Sequence, residues 1–325
     1  MLPTSLASIA ISYRIPVKVF EKQYKDHLSG FHQWDQKDHA DEWLVFKKNV
    51  GTHLSLDETS ISNGELSTIL TNKAGKGVKG SLVAMCEGTK ANDISNVFNK
   101  IPLAQRLNVE EVTLDFSSSM EKAVLTSFPN AHLTTDRFHV QQLVSEASQQ
   151  IRIKLRWKAI EEENDGVKQT KLTGERYILE VYANGDTKKQ LLARSRYLLF
   201  KPESKWTDRQ IERAVILFET FPQLKEAYNL TMSFRGIYET SETREEAQRR
   251  FKDWFNKVDA SNFDSFKTTA QYLQDHLDTI LNYFPDRSTN ASAESFNAKL
   301  KGFRTLLRGV SDKTFFLFRV AMLYG

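Results

Sequence analysis

Two short apolar runs each close on an aspartate. In Leu54-Ser55-Leu56-Asp57 the leucines share one face of an extended strand, while Ser55 and Asp57 share the other; Val112-Thr113-Leu114-Asp115 repeats the pattern. If the two strands are neighbours in a mixed sheet, their carboxylates lie side by side. Adjacent like charges are costly unless a cation sits between them. Carboxylates are hard oxygen ligands suited to Mg²⁺ or Mn²⁺. An aspartate at a strand end also caps a turn or the next helix, and for either residue alone that reading stands level with the first.

A third carboxylate comes from a helix near the C-terminus. Ala293, Phe296, Leu300, Phe303 and Leu307 recur at spacings of 3, 4, 3 and 4, which marks one buried stripe. Beside it run Asn290, Glu294, Asn297, Lys301, Arg304 and Arg308. A solvated face ordinarily mixes both charge signs, but this one carries a single glutamate early and then only amides and cations. It suits a helix that offers one metal ligand and a run of phosphate-binding groups. A merely basic solvated face is the competing account. The run Asp136-Arg137-Phe138-His139 is a further constellation. Its residues alone read equally as an N-capping aspartate and a packed histidine; His139 is not read as a metal ligand.

The elements that must hold these groups follow from periodicity. Strands are expected at His53–Glu58, Leu66–Asn72, Ser81–Glu87, Glu111–Phe116 and Ala131–Asp136, with helices from Asp93 to Leu107 and from the serines at 117–119. The order over 53–136 is therefore β-β-β-α-β-α-β. Ahead of it, helices are expected at Pro16–His32 and Lys37–Lys47. From Arg137 to Tyr283 strand signals vanish, and a helical block is expected with breaks near Asn164–Gly166, Asn184–Asp186, Pro202 and Asn262. Helices over Asn290–Arg308 and Asp312–Tyr324 close the chain. The division expected is a short helical region at 1–50, an α/β domain made of 51–139 and 286–325, and a helical insertion at 140–285.

Composition narrows the class. With 325 residues, 40% hydrophobic and 26% charged, the chain can bury a sizeable core. Its one cysteine, Cys86, excludes an intramolecular disulfide framework and a Cys-based zinc ribbon and suits a reducing cytosol. No apolar run reaches the roughly 20 residues needed to span a bilayer, and the N-terminus lacks the basic lead of a signal peptide. A cytoplasmic protein with no membrane partner is expected. The net charge of +4 is small, but residues 286–325 hold seven basic residues against three acidic, while the remainder is balanced.

The segments LSLDETSISNGE (54–65), TLDFSSSM (113–120), TTDRFHVQQLVSEA (134–147), LLARSRYLL (191–199) and NYFPDRSTNASAESFNAKLKGFR (282–304) resemble transposases of bacterial insertion sequences, closest to the ISL-three-like family with its Asp-Asp-Glu catalytic domain. The resemblance covers nearly the whole chain. It implies an RNase H-like mixed sheet flanked by helices and interrupted by an all-α insertion, with Asp57, Asp115 and Glu294 as the catalytic and metal-holding triad. Two Mg²⁺ or Mn²⁺ ions would sit in such a site. The implied activity is cleavage and strand transfer at the ends of an insertion sequence, on double-stranded DNA, by a homo-oligomer. Related groups carry an acidic residue and a histidine beside the active site, which places Asp136 and His139 as its neighbours. Arg137, Asn297, Lys301, Arg304 and Arg308 are then expected at DNA. The fifty or so residues ahead of Asp57 contain no cysteine, whereas many members begin with a Cys-rich zinc-binding region and a helix-turn-helix module. By analogy, end recognition is expected from a separate N-terminal DNA-binding polypeptide or a longer fused product. An RNase H-like nuclease without strand transfer and a catalytically inactive DNA-binding remnant are the alternative readings.

Several signals are discounted. Gly75-Lys76-Gly77-Val78-Lys79-Gly80 matches G-x-G-x-x-G, but a strand follows it where a dinucleotide site needs a helix. A hairpin tip is the better account, from which Lys73, Lys76 and Lys79 could reach DNA. The seven histidines show no zinc-ligand spacing. Trp157, Trp206 and Trp254 are expected in the core of the helical block.

Overall fold

The computed structural model describes residues 4–62, 64–307 and 309–325. They form two compact units, Met1–Asp136 with Ser288–Gly325, and Arg137–Arg287. In chain order the helices are α1 (Leu6–Ser12), α2 (Val17–Gln23), α3 (Ala91–Phe98), α4 (Leu103–Arg106) and α5 (Ser118–Ser127) in the first unit. The second unit holds α6 (Arg137–Thr173), α7 (Lys188–Arg194), α8 (Asp208–Thr220), α9 (Pro222–Thr240), α10 (Arg244–Asp259), α11 (Asp264–Asp275), α12 (Leu277–Leu281) and α13 (Tyr283–Asp286). The chain then returns to the first unit as α14 (Ala291–Leu306) and α15 (Lys313–Tyr324).

The first unit is built on β1 (Trp43–Val45), β2 (His53–Ser62), β3 (Glu65–Asn72), β4 (Leu82–Glu87), β5 (Glu111–Leu114) and β6 (His132–Thr135). They form one mixed sheet in the order β1-β4-β3-β2-β5-β6. The hairpin strands β2, β3 and β4 pair antiparallel, whereas β5 and β6 run parallel to β2. This is the α/β, RNase H-like arrangement. Alternation along the strands sorts the two faces. Leu54, Leu56, Val112 and Leu114 pack with Phe98 of α3 and Val124 of α5. On the other face Ile61, Ile69 and Met85 pack with Phe296, Leu300 and Phe303 of α14 and with Phe316 and Val320 of α15. Full burial of each such side chain contributes about 1.5–3 kcal/mol, so α14 is held to the sheet by its apolar stripe.

In the second unit, Leu191, Leu198, Leu217, Leu224 and Tyr228 form one buried cluster. Phe234, Tyr238, Phe251, Trp254 and Phe284 make a second, aromatic one. Capping boxes at Thr187/Gln190 and Thr207/Gln210 start α7 and α8. Asp186 is fully buried between Arg194 and Arg213; burial alone would raise its carboxyl, but the two guanidiniums hold it below the usual range.

The structure departs from the expected elements in several places. The strand β1 and two single 3₁₀ turns replace the helix expected at Lys37–Lys47. The helix expected over Asp93–Leu107 is broken by Pro102 into α3 and α4, since proline cannot continue a helix. No break occurs at Asn164–Gly166, and α6 runs on for 37 residues. The Tyr177 ring packs so near Gly166 that a Cβ there would lie 2.6 Å from it, so this glycine admits a neighbouring ring rather than a turn. Trp157 is 57% exposed, not core; Trp254 is buried as expected and Trp206 half-buried.

Candidate active site

Strand register brings three aspartates into one row. Ser55 of β2 pairs with Thr113 of β5, so Asp57 and Asp115 stand two residues beyond a common pair. Leu114 pairs with Thr135 of β6, and the Asp136 N–H donates to the Leu114 carbonyl at 2.9 Å. All three follow the same parallel direction, and Asp115 and Asp136 offer carboxylate oxygens within 4.8 Å of one another. The N-cap of α5 is Ser117 rather than Asp115, its side chain accepting from the Met120 N–H. Asp57 does not end its strand either, since β2 continues to Ser62.

Helix α14 closes over this row through two buried amides. The Asn290 N–H donates to Asp136 Oδ1 at 2.8 Å, and its Nδ2 donates to the Leu56 carbonyl at 3.3 Å and Asp115 Oδ1 at 3.5 Å. Seven residues on, Asn297 Nδ2 donates to Asp57 Oδ2 at 2.6 Å and to the Glu58 carbonyl at 3.3 Å. Glu294 lies between them on the same stripe, one turn from each, and is exposed. The N-terminal end of α14 thus lies against Asp136 and Asp115. Burial, and then the charge of Asp115, raise the Glu58 carboxyl above its ordinary range.

The donor set fits a hard divalent cation. Asp115 and Asp136 offer oxygen ligands within reach of one another, and Asp57 stands beside Asp115 on the neighbouring strand. The buried Oδ1 atoms of Asn290 and Asn297 also lack a hydrogen-bond partner within the chain, a state that costs free energy unless a ligand satisfies them. On the same sheet face, the half-buried Lys73 is bonded to Glu111 and Thr113 and donates to Ser288 Oγ at 3.0 Å, while Ser288 donates to Glu111 at 2.7 Å. This network ties the loop after β3 to the segment that enters α14.

Other expected site residues fall as follows. Lys301 is exposed and Arg304 half-buried on the outer course of α14, and Lys76 and Lys79 are exposed at the loop between β3 and β4. Lys76 and Gly77 there have φ of 48° and 70°, as a tight tip requires. Arg308 lies outside the described residues. His139 is half-buried in the first turn of α6. Three residues considered for DNA make contacts within the chain. Lys73 is committed to the buried carboxylate of Glu111. Asn297 is 5% exposed and holds Asp57. Arg137 spends its guanidinium inside the helical unit, bonded to Tyr283 Oη at 3.2 Å and stacked over the Tyr238 ring. Asn290, Glu58 and Ser288 were not singled out as site residues; only the place of Asn290 on the polar stripe signalled it.

The family model described as a transposase, of the ISL-three type with a DDE domain, matches residues 54–320. The chain belongs to that family. None of the curated proteins matches it. As a transposase it is a DNA-cleaving enzyme with DNA as substrate, and transposases of the DDE class use divalent metals. Among its described residues no helix is long and apolar enough to cross a membrane.

Proposed function

We propose that this transposase cleaves DNA at the ends of an insertion sequence and joins the freed 3′ end to a target strand, using Asp57, Asp115 and Glu294 as its catalytic carboxylates. One observation carries the reading: Asp57 and Asp115 stand side by side on parallel strands, and the amides flanking Glu294 are bonded to both of them. The carboxylates would hold two Mg²⁺ or Mn²⁺ ions, which when bound supply a Lewis acid for the phosphodiester and lower the pKa of the attacking hydroxyl. The chain's own residues do the rest. Asn290 and Asn297 fix the carboxylate rotamers before substrate arrives, which spares reorganisation during the reaction. Asp136 anchors the start of α14 through the Asn290 N–H and so sets the depth of Glu294. Lys301 and Arg304, about two and three turns beyond Glu294, offer cations to the strand entering the site.

The test uses a labelled duplex carrying one end of the element, with Mg²⁺ or Mn²⁺. Asp57→Asn, Asp115→Asn and Glu294→Gln should each abolish nicking while duplex binding and thermal unfolding stay near those of the unmodified chain. Normal nicking by any of the three would remove that residue from the assignment. Cleaved ends without joined product would instead favour a nuclease that does not transfer strands.

A further inference from the structure

The helical unit carries a groove of about 860 Å³ that the active-site reading does not use. One wall is α6 from Phe138 to Ile153; Arg196, Phe200 and Arg235 form the other. Its charge is one-sided. Arg152, Arg196 and Arg235 line it against a single carboxylate, Glu146, which already accepts from Gln142 Nε2 at 2.7 Å. Arg152 is 6% exposed, yet its partners are neutral: Gln149 Oε1 at 2.6 Å and the Leu192 carbonyl at 2.9 Å. Arg235 is fixed by the Phe200 carbonyl at 3.3 Å and by Glu239, which stands outside the lining. A buried donor at this wall, Gln141 Nε2, has no acceptor within the chain.

Clustered arginines repel one another, and burying one among them without a carboxylate is unfavourable unless an anion joins. Burial first, and then the nearness of Arg196 and Arg156, push the Arg152 guanidinium below its ordinary range. A run of α6 from residue 138 to 153 extends about 22 Å, long enough to follow successive phosphates along a strand rather than seat one small anion. Phe138, 62% exposed at one end of the wall, offers an aromatic face of the kind on which bases stack.

We infer that this groove is a second DNA-contact surface, binding the phosphodiester backbone of a DNA strand through Arg152, Arg196 and Arg235. The inference rests on the chain acting on DNA, but not on which carboxylates cut it. Gln141 supplies a further donor to the backbone, and the groove grips DNA without reading its sequence, since guanidinium–phosphate contacts carry no base information.

The test is equilibrium binding of labelled random-sequence DNA, duplex and single-stranded, over a salt series without divalent metal, so that the active-site assignment does not enter. The full-length Arg196→Ala/Arg235→Ala variant should bind roughly tenfold more weakly and lose about two from the slope of log affinity against log salt, about one per phosphate contact. Arg209→Ala, on the exposed side of α8, should leave both unchanged. Arg196 is exposed, so Arg196→Glu should fold normally and weaken binding further. A larger loss on single-stranded DNA places Phe138 against bases, and an equal loss leaves the backbone contact alone; both support the groove. Salt slopes and affinities equal to those of the unmodified chain in Arg196→Glu, or matching those of Arg209→Ala, overturn it. Failure of Asp57→Asn to stop nicking would leave these measurements standing.

Discussion

The amide of Asn297 is short-range chemistry with a large consequence, because it is bonded to a carboxylate that has acidic neighbours. Asn297 Nδ2 lies 2.6 Å from Asp57 Oδ2, and few other groups could reach so far under α14. A hydrogen bond to a charged group contributes about 1.5–3 kcal/mol, so Asn297→Ala should lower unfolding stability by about that much in a urea titration. It should slow nicking as well, by releasing the Asp57 rotamer. Stability unchanged within error would show that the bond is made equally by solvent. At this scale the strand alternation was a good guide: Asp57 and Asp115 sit on the polar face that Ser55 and Thr113 share. Periodicity placed Asn297 on the correct helix face but not at its depth. Asn297 is buried there, and its amide is bonded to Asp57. Lys73 was misplaced for a related reason. A lysine beside glycines looks solvated, and nothing local reveals that Glu111, on a strand paired through β2, is waiting beneath it.

Among elements, that lysine links the loop after β3 to the entry of α14. Glu111 is fully buried, and burial by itself would raise its carboxyl; the Lys73 hydrogen bond and charge outweigh this and hold it low. A depressed carboxyl adds stability above the ordinary glutamate range of about 4.3 and loses it as pH falls through the folded value. Lys73→Met strands that carboxylate, and breaking a buried pair from one side costs about 3–5 kcal/mol. The variant should therefore be much less stable at neutral pH and show a flatter loss of stability on acidification than the unmodified chain. Parallel pH profiles of unfolding would mean the pair is not coupled in the folded state. The strand order from 53 to 136 and both C-terminal helices were legible because each has a clean period. The short strand β1 was not, since three residues cannot show one, and the unbroken α6 was not, since Asn-Asp-Gly reads as a turn until the Tyr177 ring is seen against it.

On the scale of the whole molecule, charge and connectivity are both more local than totals suggest. Of the seven basic residues in the last forty, Arg287 holds the Tyr238 and Ser241 carbonyls, Lys299 the Gly77 carbonyl, Lys313 two glutamates, and Arg319 the Phe303 ring. Among the described residues, Lys301 and Arg304 are what that excess presents beside Glu294. The unit Arg137–Arg287 has its own buried clusters, so residues 137–287 produced alone should be helical and unfold cooperatively. Circular dichroism during thermal unfolding is the check, and a gradual, non-cooperative loss would show that its core needs the rest of the chain. The Asn290–Asp136 bond has a further consequence, for the order of synthesis. It joins residues 154 positions apart, and domains fold as they emerge from the ribosome, N-terminal parts first. The three aspartates are therefore laid out early but remain uncovered until α14 is made, and a translation product that stops within the helical unit has neither clamp nor Glu294.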